Sequence, residues 1–457
     1  MMKILPVALL LLAAAAPPSF AQAPEGKPNI IFIQADDLGY GDLGCYGQKK
    51  VKTPNLDRMA REGLRFTSYY AGNTVCAPSR CALMTGFHMG HAYIRGNAEL
   101  PLRAEDVTVA TLLKGAGYST AVIGKWGLGL PNNSGRPDKQ GFDYSFGYLD
   151  HKHAHRQYTD HLFRNGEKVE LDGKSWSNDL FTTESLDYVE RNKANPFFLY
   201  LSYTNPHAEL WVPRDSLDEY KGAFPEKPWV SGQGDAPGAK GYRSQETPHA
   251  AFAAMVTRMD RDIGRLFEKL KALGIDGNTL VMFTSDNGPH REGGADPDFF
   301  NSTGPLRGIK RDLTEGGIRV PMIARWPGKV AAGTTTDHVS AHWDFLPTAC
   351  ELAGALSPEG LDGISYVPTL VGKEQKAHGY LYWEFHERGF DQAVRRGDWK
   401  GIRNGLGEPL RVYNLKTDLH EDHDVAAQNP DVVATLEAQL KAARTESDRW
   451  VPKNAKK

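Results

Sequence analysis

The sequence predicts an α/β fold: a doubly wound, mostly parallel sheet flanked by helices, followed by a smaller C-terminal α+β subdomain carrying an antiparallel sheet. Three observations predict it. Four short, nearly continuous apolar runs read as strands buried on both faces. Helix-period segments with recognisable start and stop residues lie between them. From about residue 373 the pattern changes to short alternating runs that end in a single helix.

Taken in chain order, Lys3, the apolar stretch "ILPVALLLLAAAA" and the small residues "SFA" ending at Ala21 read as a signal peptide over 1–21. The apolar core is shorter than the roughly 20 residues of a membrane span. The expectation is a periplasmic or secreted protein with no membrane span in its mature chain. "NIIFIQ" is the first buried strand and runs into Asp36 and Asp37. "TPNLDRMAREG" is a helix with Thr53 as N-cap, Pro54 in the first helical position, Gly63 as its stop, and Leu56, Met59 and Ala60 on one face. "VTVATLLKGAG" is a second helix. The strand "STAVIG" then runs into Lys125, "FFLYLSY" into Asn205-Pro206-His207, and "LVMFTS" into Asp286 and Asn287. "AAFAAMVTRMDRDIGRLFEKLKALG" repeats apolar residues on one helical stripe and ends at Gly274. The Gly/Pro-rich stretch 225–245 reads as a substrate-facing loop. "HGYLYWEF", "QAVRRGDWKGIR" and "LRVYNL" are short antiparallel strands, and "PDVVATLEAQLKAARTESDRW" is the closing helix. This divides the mature chain into a catalytic α/β domain over 22–372 and a subdomain over 373–457.

Composition narrows the function. The 54 Lys and Arg residues nearly balance 56 Asp and Glu, and no basic block appears, which excludes a nucleic-acid surface. Cys45, Cys76, Cys81 and Cys350 are too few for a disulfide framework and match no zinc spacing.

In a doubly wound sheet, ligands gather beyond the carboxyl ends of the strands, where the polar clusters fall. Asp36, Asp37, Asp286 and Asn287 offer three carboxylates and one amide oxygen. These hard donors favour calcium, with magnesium as the alternative, over zinc. Arg80, Lys125 and Lys310 supply positive charge, and Arg80 sits at the start of a helix beside Cys76. A cation set of this kind points to a tetrahedral anion, phosphate or sulfate. Cys76 itself reads as a disulfide partner of Cys81, a buried thiol, a nucleophile, a metal ligand or a processed residue.

The stretch "CAPSRCALMTG" fits a known signature of cysteine, any residue, Pro, Ser, Arg, then Leu and Thr-Gly. Together with "PNIIFIQADDLGYGDLGCYG", "GYSTAVIGKWGLG", "FTSDNG" and "GPLRGIKRDLTEGGIRVPMIARWPG", it makes the chain resemble the type I, formylglycine-dependent sulfatases of the alkaline phosphatase superfamily. The resemblance implies that a formylglycine-generating maturase oxidises Cys76 to an aldehyde, with Pro78 and Arg80 in the maturation signal and Cys81 an ordinary core residue. In the implied mechanism one hydroxyl of the aldehyde hydrate attacks sulfur, and loss of the second hydroxyl's proton expels sulfate. It also implies that Asp36, Asp37, modified Cys76, Asp286 and Asn287 hold one calcium ion. Arg80 would stabilise the hydrate, Lys125 and Lys310 would bind sulfate and the bridging oxygen, and His207 would protonate the leaving alkoxide.

One departure stands out. Many relatives place a histidine where this chain has Gly127 in "GKWGLG". The nearest histidines are His151, His153 and His155, and the expectation is that His153 or His155 takes over the role or contacts the sugar. The polar segment "SDNGPHREGGADPDFFNSTG" adds His290, Arg291, Asp296 and Asp298 as groups that could bind sugar hydroxyls. The expected substrate is a sulfated carbohydrate, with galactose or N-acetylgalactosamine 4-sulfate suggested by "GKWGLG" and "YLDHKHAH". The rival readings are a phosphomonoester or phosphonate hydrolase of the same superfamily and an inactive protein that binds sulfated glycans.

Overall fold

The computed structural model describes residues 26–234 and 241–454. The signal peptide expected over 1–21 lies outside them. The strands are β1 (Asn29–Asp36), β2 (Leu64–Phe66), β3 (Tyr69–Tyr70), β4 (Ser119–Lys125), β5 (Tyr144–Tyr148), β6 (His161–Arg164), β7 (Glu167–Glu170), β8 (Phe197–Pro206), β9 (Thr279–Ser285), β10 (Met322–Arg325), β11 (Thr334–Thr336) and β12 (Ser340–Ala341), then β13 (Leu381–Phe385), β14 (Asp391–Arg396), β15 (Trp399–Asn404) and β16 (Arg411–Asn414). Ten of them form one sheet in the order β11-β2-β10-β9-β1-β8-β4-β5-β6-β7. The four strands read from the sequence, β9, β1, β8 and β4, lie side by side and parallel at its centre. Every residue of β1, β8 and β9 is buried, which is why these runs are apolar without alternation.

Successive side chains of a strand point to opposite faces, and β1 divides accordingly. Ile30 and Phe32 join one core, which also holds Val109, Ala110 and Leu113 of the helix Val109–Gly115 and Leu346 of the helix Phe345–Ala353. Ile31 and Ile33 join the other, against the helices Pro54–Glu62, Ser177–Asn192 and Pro248–Ala272. Burying each large apolar side chain in these layers contributes about 1.5–3 kcal/mol.

At Gly124 the packing is closer than any side chain allows: an added Cβ would lie 1.8 Å from the Ser202 carbonyl oxygen, and the backbone there has φ of 112°. The glycine lets β4 draw tightly against β8 and so sets Lys125 beside the end of β1.

The strands β13, β14, β15 and β16 form a separate antiparallel sheet in sequence order. One face, with Tyr382, Val394 and Val412, takes Leu436 and Leu440 of the helix Pro430–Ala442. The other face, with Leu381, Trp383 and Phe385, is continuous with the first core. Trp383 Nε1 donates to the Ala71 carbonyl at 2.9 Å, and Asn73 Nδ2 donates to the Glu384 carbonyl at 3.0 Å. A buried lysine, Lys400, joins Glu315 at 2.8 Å and Glu421 at 2.9 Å across the junction. The C-terminal sheet is thereby fixed against the segments that carry Cys76 and Lys310.

Candidate active site

The end of β1 is shaped to present two carboxylates. Its pairing with β8 shifts between Gln34 and Asp36, and Asp37 has a left-handed backbone with φ of 64°. That conformation costs a residue with a side chain about 1 kcal/mol, and a short polar residue tolerates it best. Neighbouring β9 ends level with β1, Ala35 opposite Ser285, so Asp286 and Asn287 arrive at the same place. The Asp37 amide donates to Asp286 Oδ1 at 3.1 Å, and Asn287 Nδ2 donates to Asp37 Oδ1 at 2.6 Å. Cys76 opens the helix Cys76–Thr85, with its Sγ 3.5 Å from Asp36 Oδ1. Ser79, one turn on, donates to the Asp286 carbonyl at 2.5 Å and ties this helix to the end of β9.

Three cations close around the carboxylates. Lys125 Nζ lies 2.6 Å from Asp36 Oδ2. Arg80 holds Asp286 Oδ2 through Nη2 at 2.7 Å and Nε at 3.0 Å, and donates to the Lys125 carbonyl at 2.8 Å. Lys310 Nζ reaches Asp37 Oδ2 at 2.8 Å, His207 Nε2 at 3.1 Å and Glu292 Oε2 at 3.2 Å. The imidazole of His207 is stacked between His155 at 4.6 Å and His290 at 5.4 Å between ring centroids. His207 Nδ1 meets the Ala208 carbonyl at 2.5 Å, which places the proton on Nδ1 and turns a lone pair on Nε2 toward Lys310. Burial, then the charges of Lys310 and Lys125, hold this histidine well below its ordinary value, so the ring is neutral. Burial, with Asp36 and Asp286 adding to it against Lys125, pushes the Cys76 thiol well above its usual range. As encoded, this thiol is a poor nucleophile.

These groups floor a cleft of about 200 Å³ lined by Cys76, His151, His155, His207, Lys310 and Tyr242, with Arg311, Glu292 and Glu387 on its wall. A divalent cation fits the oxygen cluster on the structure's own terms. Asn287 Oδ1 is buried beside Asp37 and has no hydrogen-bond partner, and donor atoms of Asp36, Asp37, Cys76 and His207 lie within 4.8 Å of one another. The hard oxygens suit calcium or magnesium.

The structure thus brings together Asp36, Asp37, Cys76, Arg80, Lys125, His207, Asp286, Asn287 and Lys310, with His155 and His290 beside them. It does not bring His153, Arg291 or Asp296. His153 turns away, with Nε2 2.8 Å from Thr159 Oγ1 and its ring stacked on His161. Arg291 pairs with Asp298 at 2.6 Å in solvent. Asp296 caps the turn Pro297–Phe300 by accepting the Phe299 amide at 3.0 Å. His151 lines both this cleft and the small cavity over Gly127.

Sequence reasoning missed Glu292, Tyr242, Arg311 and Glu387. Tyr242 belongs to the 225–245 loop read as substrate-facing. Glu292 could have been found as the inward neighbour of His290, with Arg291 between them pointing out. Glu387 depends on how the C-terminal sheet docks.

A family model described as Sulfatase matches residues 28–355, and a second, N-sulphoglucosamine sulphohydrolase, C-terminal, matches residues 309–446. The N-acetylgalactosamine-6-sulfatase of Sus scrofa is 33% identical over 399 residues, covering 79% of this chain and 69% of the relative. The N-acetylgalactosamine-6-O-sulfatase of Bacteroides thetaiotaomicron is 30% identical and covers 92% of this chain and 93% of its own. Among solved structures, Ps i-CgsB in complex with k-i-k-neocarrahexaose superposes with a TM-score of 0.78 at 30% identity, covering 91% of this chain and 92% of the other. With a matching model across 28–355 and relatives at this identity, the chain belongs to the sulfatase family and is a sulfatase-family enzyme.

Proposed function

We propose that this sulfatase is exported and removes sulfate from galactose or N-acetylgalactosamine units of a glycan, after a maturase has converted Cys76 to formylglycine. Asp36, Asp37, Asp286, Asn287 and the residue at position 76 would hold one calcium ion. The observation that carries this reading is the placement of Cys76: its Sγ lies 3.5 Å from Asp36 Oδ1, at the floor of a cleft that Lys152, Lys310 and Arg311 also line. The names of the Sus scrofa and Bacteroides thetaiotaomicron relatives support the sugar and set a 6-sulfate beside the 4-sulfate expected from the sequence.

When present, the cation and the modified side chain supply Lewis acidity and a hydroxyl nucleophile. The rest is done by residues of the chain. Lys125 and Lys310 offer ammonium donors to the sulfate and to the oxygen that links it to the sugar. Arg80, fully enclosed and bound to Asp286, orients that carboxylate from behind. A sugar alkoxide leaves poorly without a proton, and the Lys310–His207 pair, 3.1 Å apart at Nζ and Nε2, holds one at the cleft. The His155 and His290 rings keep the His207 plane fixed. Gly127 has no side chain to offer as a base. His151, which lines the cavity over Gly127 and the Cys76 cleft alike, is the base of this reading, whereas His153 turns to Thr159 and His161.

The test uses protein produced together with a maturase. Galactose and N-acetylgalactosamine 4- and 6-sulfates are assayed beside 4-nitrophenyl sulfate and 4-nitrophenyl phosphate. The peptide holding position 76 is weighed by mass spectrometry. Sulfate release from at least one sugar, with sulfur lost and oxygen gained at position 76, is the expected result. Fully active protein with an intact thiol, or turnover of phosphate alone, would overturn the reading.

A further inference from the structure

The wall of the cleft next to the histidine stack is built around an arginine in an unfavourable backbone. Arg311 has φ of 76°, a conformation that crowds the Cβ of any residue but glycine. Its amide donates to the Thr74 carbonyl at 3.1 Å, which fixes the segment just ahead of Cys76. The guanidinium is held between two carboxylates: Nη1 donates to Glu292 Oε1 at 2.7 Å and Nε to Glu387 Oε2 at 2.9 Å. Among the described residues Nη2 makes no hydrogen bond. All three side chains stay open to solvent, Arg311 and Glu387 at 32% and Glu292 at 22% exposure. Backbone strain of this kind collects at functional sites.

Glu387 comes from the turn between β13 and β14, in the C-terminal sheet. A second ion pair, Arg388 with Asp312 at 3.0 Å, clamps the same turn onto the segment after Lys310. The turn therefore has a fixed position at the cleft, with Glu387 and Arg388 matched to the successive residues Arg311 and Asp312. Its Glu387 lines the same cleft as Cys76.

We propose that Arg311, Glu292 and Glu387 read the sugar that carries the sulfate, by hydrogen bonds to its uncharged hydroxyls, and that they disfavour a second anionic group on that sugar; this rests on the carbohydrate-sulfate reading above. A hydroxyl both donates and accepts. The free Nη2 edge of Arg311 and the carboxylate oxygens on either side of it offer both partners side by side. Arg311 pairs with Glu387 on one side and with Glu292, which it shares with Lys310, on the other, so little of its charge is left to attract another anion. A sugar with a second sulfate or a carboxylate at this position would meet Glu387 and Glu292 instead, and a specificity determinant of this kind works by repulsion as much as by fit.

Two variants test the inference. Glu387→Gln keeps the shape and removes the charge. Arg311→Gly removes the guanidinium and suits the left-handed backbone, so a loss cannot come from strain. Each is compared with wild type on a singly sulfated sugar that wild type cleaves, on the same sugar with a second sulfate, and on 4-nitrophenyl sulfate, which has no sugar hydroxyls. The ratio of kcat/KM for the singly sulfated sugar to that for the aryl sulfate should fall about 10- to 100-fold in each variant, mostly through KM. Glu387→Gln should also raise the relative turnover of the doubly sulfated sugar. Ratios within threefold of wild type, in variants with wild-type circular dichroism and melting temperature, would overturn the inference alone. A wild-type protein that prefers the doubly sulfated sugar would do the same. Wild type that cleaves the aryl sulfate and no sugar sulfate would overturn this inference together with the reading it rests on.

Discussion

Replacing Asp42 by asparagine should stabilise this protein, and by more at higher pH. Asp42 lies in the turn that follows Asp36 and Asp37. Its side chain has no solvent exposure, Oδ2 accepts the Gly39 amide at 2.8 Å, and Oδ1 is buried without a partner. Burial pushes its carboxyl up from an ordinary 3.8 to about 7, and the nearby Ser302 hydroxyl and the Gly39 amide oppose this only in part. Between those two values the folded protein keeps a proton that the unfolded chain has released. Stability therefore falls as the pH rises through that window.

The size of the effect follows. Each tenfold change in proton affinity between the folded and unfolded chain is worth about 1.4 kcal/mol, so at pH 8 the ionised carboxylate costs roughly 4 kcal/mol, against less than about 2 kcal/mol at pH 5. Asparagine keeps the oxygen that accepts from Gly39 and carries no charge. At an unfolding entropy of roughly 2 cal/mol/K per residue, 1 kcal/mol corresponds to about 1 °C in a chain of this length. The gain in Tm from Asp42→Asn, measured by scanning calorimetry, should therefore be about 3 °C larger at pH 8 than at pH 5. An equal gain at both pH values, or a larger one at pH 5, would refute the argument that an unpaired buried carboxylate strains this turn.

Lys310→Ala removes one ammonium from Asp37, His207 and Glu292 together, and kcat for 4-nitrophenyl sulfate should fall about 10²- to 10³-fold. Lys310→Arg should recover little of it in steady-state assays, because a planar fork does not replace a point charge among three partners. His151→Ala and His155→Ala should each lower kcat about tenfold or more, while His153→Ala stays within about twofold; a large effect at His153 alone would reverse that order. Removal of calcium by EGTA and dialysis should abolish turnover and lower Tm, and added calcium should restore both, through about 4 kcal/mol of linked stability at a thousandfold excess over Kd. Asn287→Leu should lose that restoration, since the orphaned Oδ1 of Asn287 is the donor with no other occupation.

The strands that carry the site were legible because burial on both faces leaves an apolar run no alternative, and because polar residues at such strand ends are unusual unless used. Asp36, Lys125, His207 and Asp286 were found in this way. The histidines of "HKHAH" were not separable from sequence. Three imidazoles at alternate positions can point to either side of a turn, and the short helix His153–His155 decides that one of them packs on His161 and another on His207. Asp296 had a readable alternative: aspartate followed by proline is a helix start, and the structure uses it as one. Arg291 is an outward residue between two inward ones, a distinction that an irregular stretch hides. Glu387 reaches Arg311 across 76 residues, through the docking of a separate sheet, and no local pattern predicts that contact.

The charges of the site carry a further argument about its substrate. Asp36, Asp37 and Asp286 are matched by Arg80, Lys125 and Lys310, all six essentially buried, so this inner set is neutral, while Glu292, Glu387 and Arg311 on the wall are open to solvent and stand outside the count. Unpairing any one of them would leave a buried charge at a cost of about 3–5 kcal/mol. Asp36, Asp37, Asp286 and Asn287 would hold a divalent cation, which would supply two positive charges. A sulfate monoester brings one negative charge, which leaves a surplus of one. Transfer to residue 76 leaves the sulfate with one charge, and its expulsion from that residue gives it the second, which cancels the surplus. The environment therefore suits the charge that develops as sulfate is expelled better than the charge of the bound ester, which is the condition for catalysis rather than for tight binding. A phosphate monoester at neutral pH arrives with two negative charges and cancels the surplus before any bond breaks. Its kcat for 4-nitrophenyl phosphate should fall about 100-fold or more below that for 4-nitrophenyl sulfate, while its Kd stays similar or tighter. Equal kcat for the two esters would mean that the neutral six-charge cluster does not set the preference.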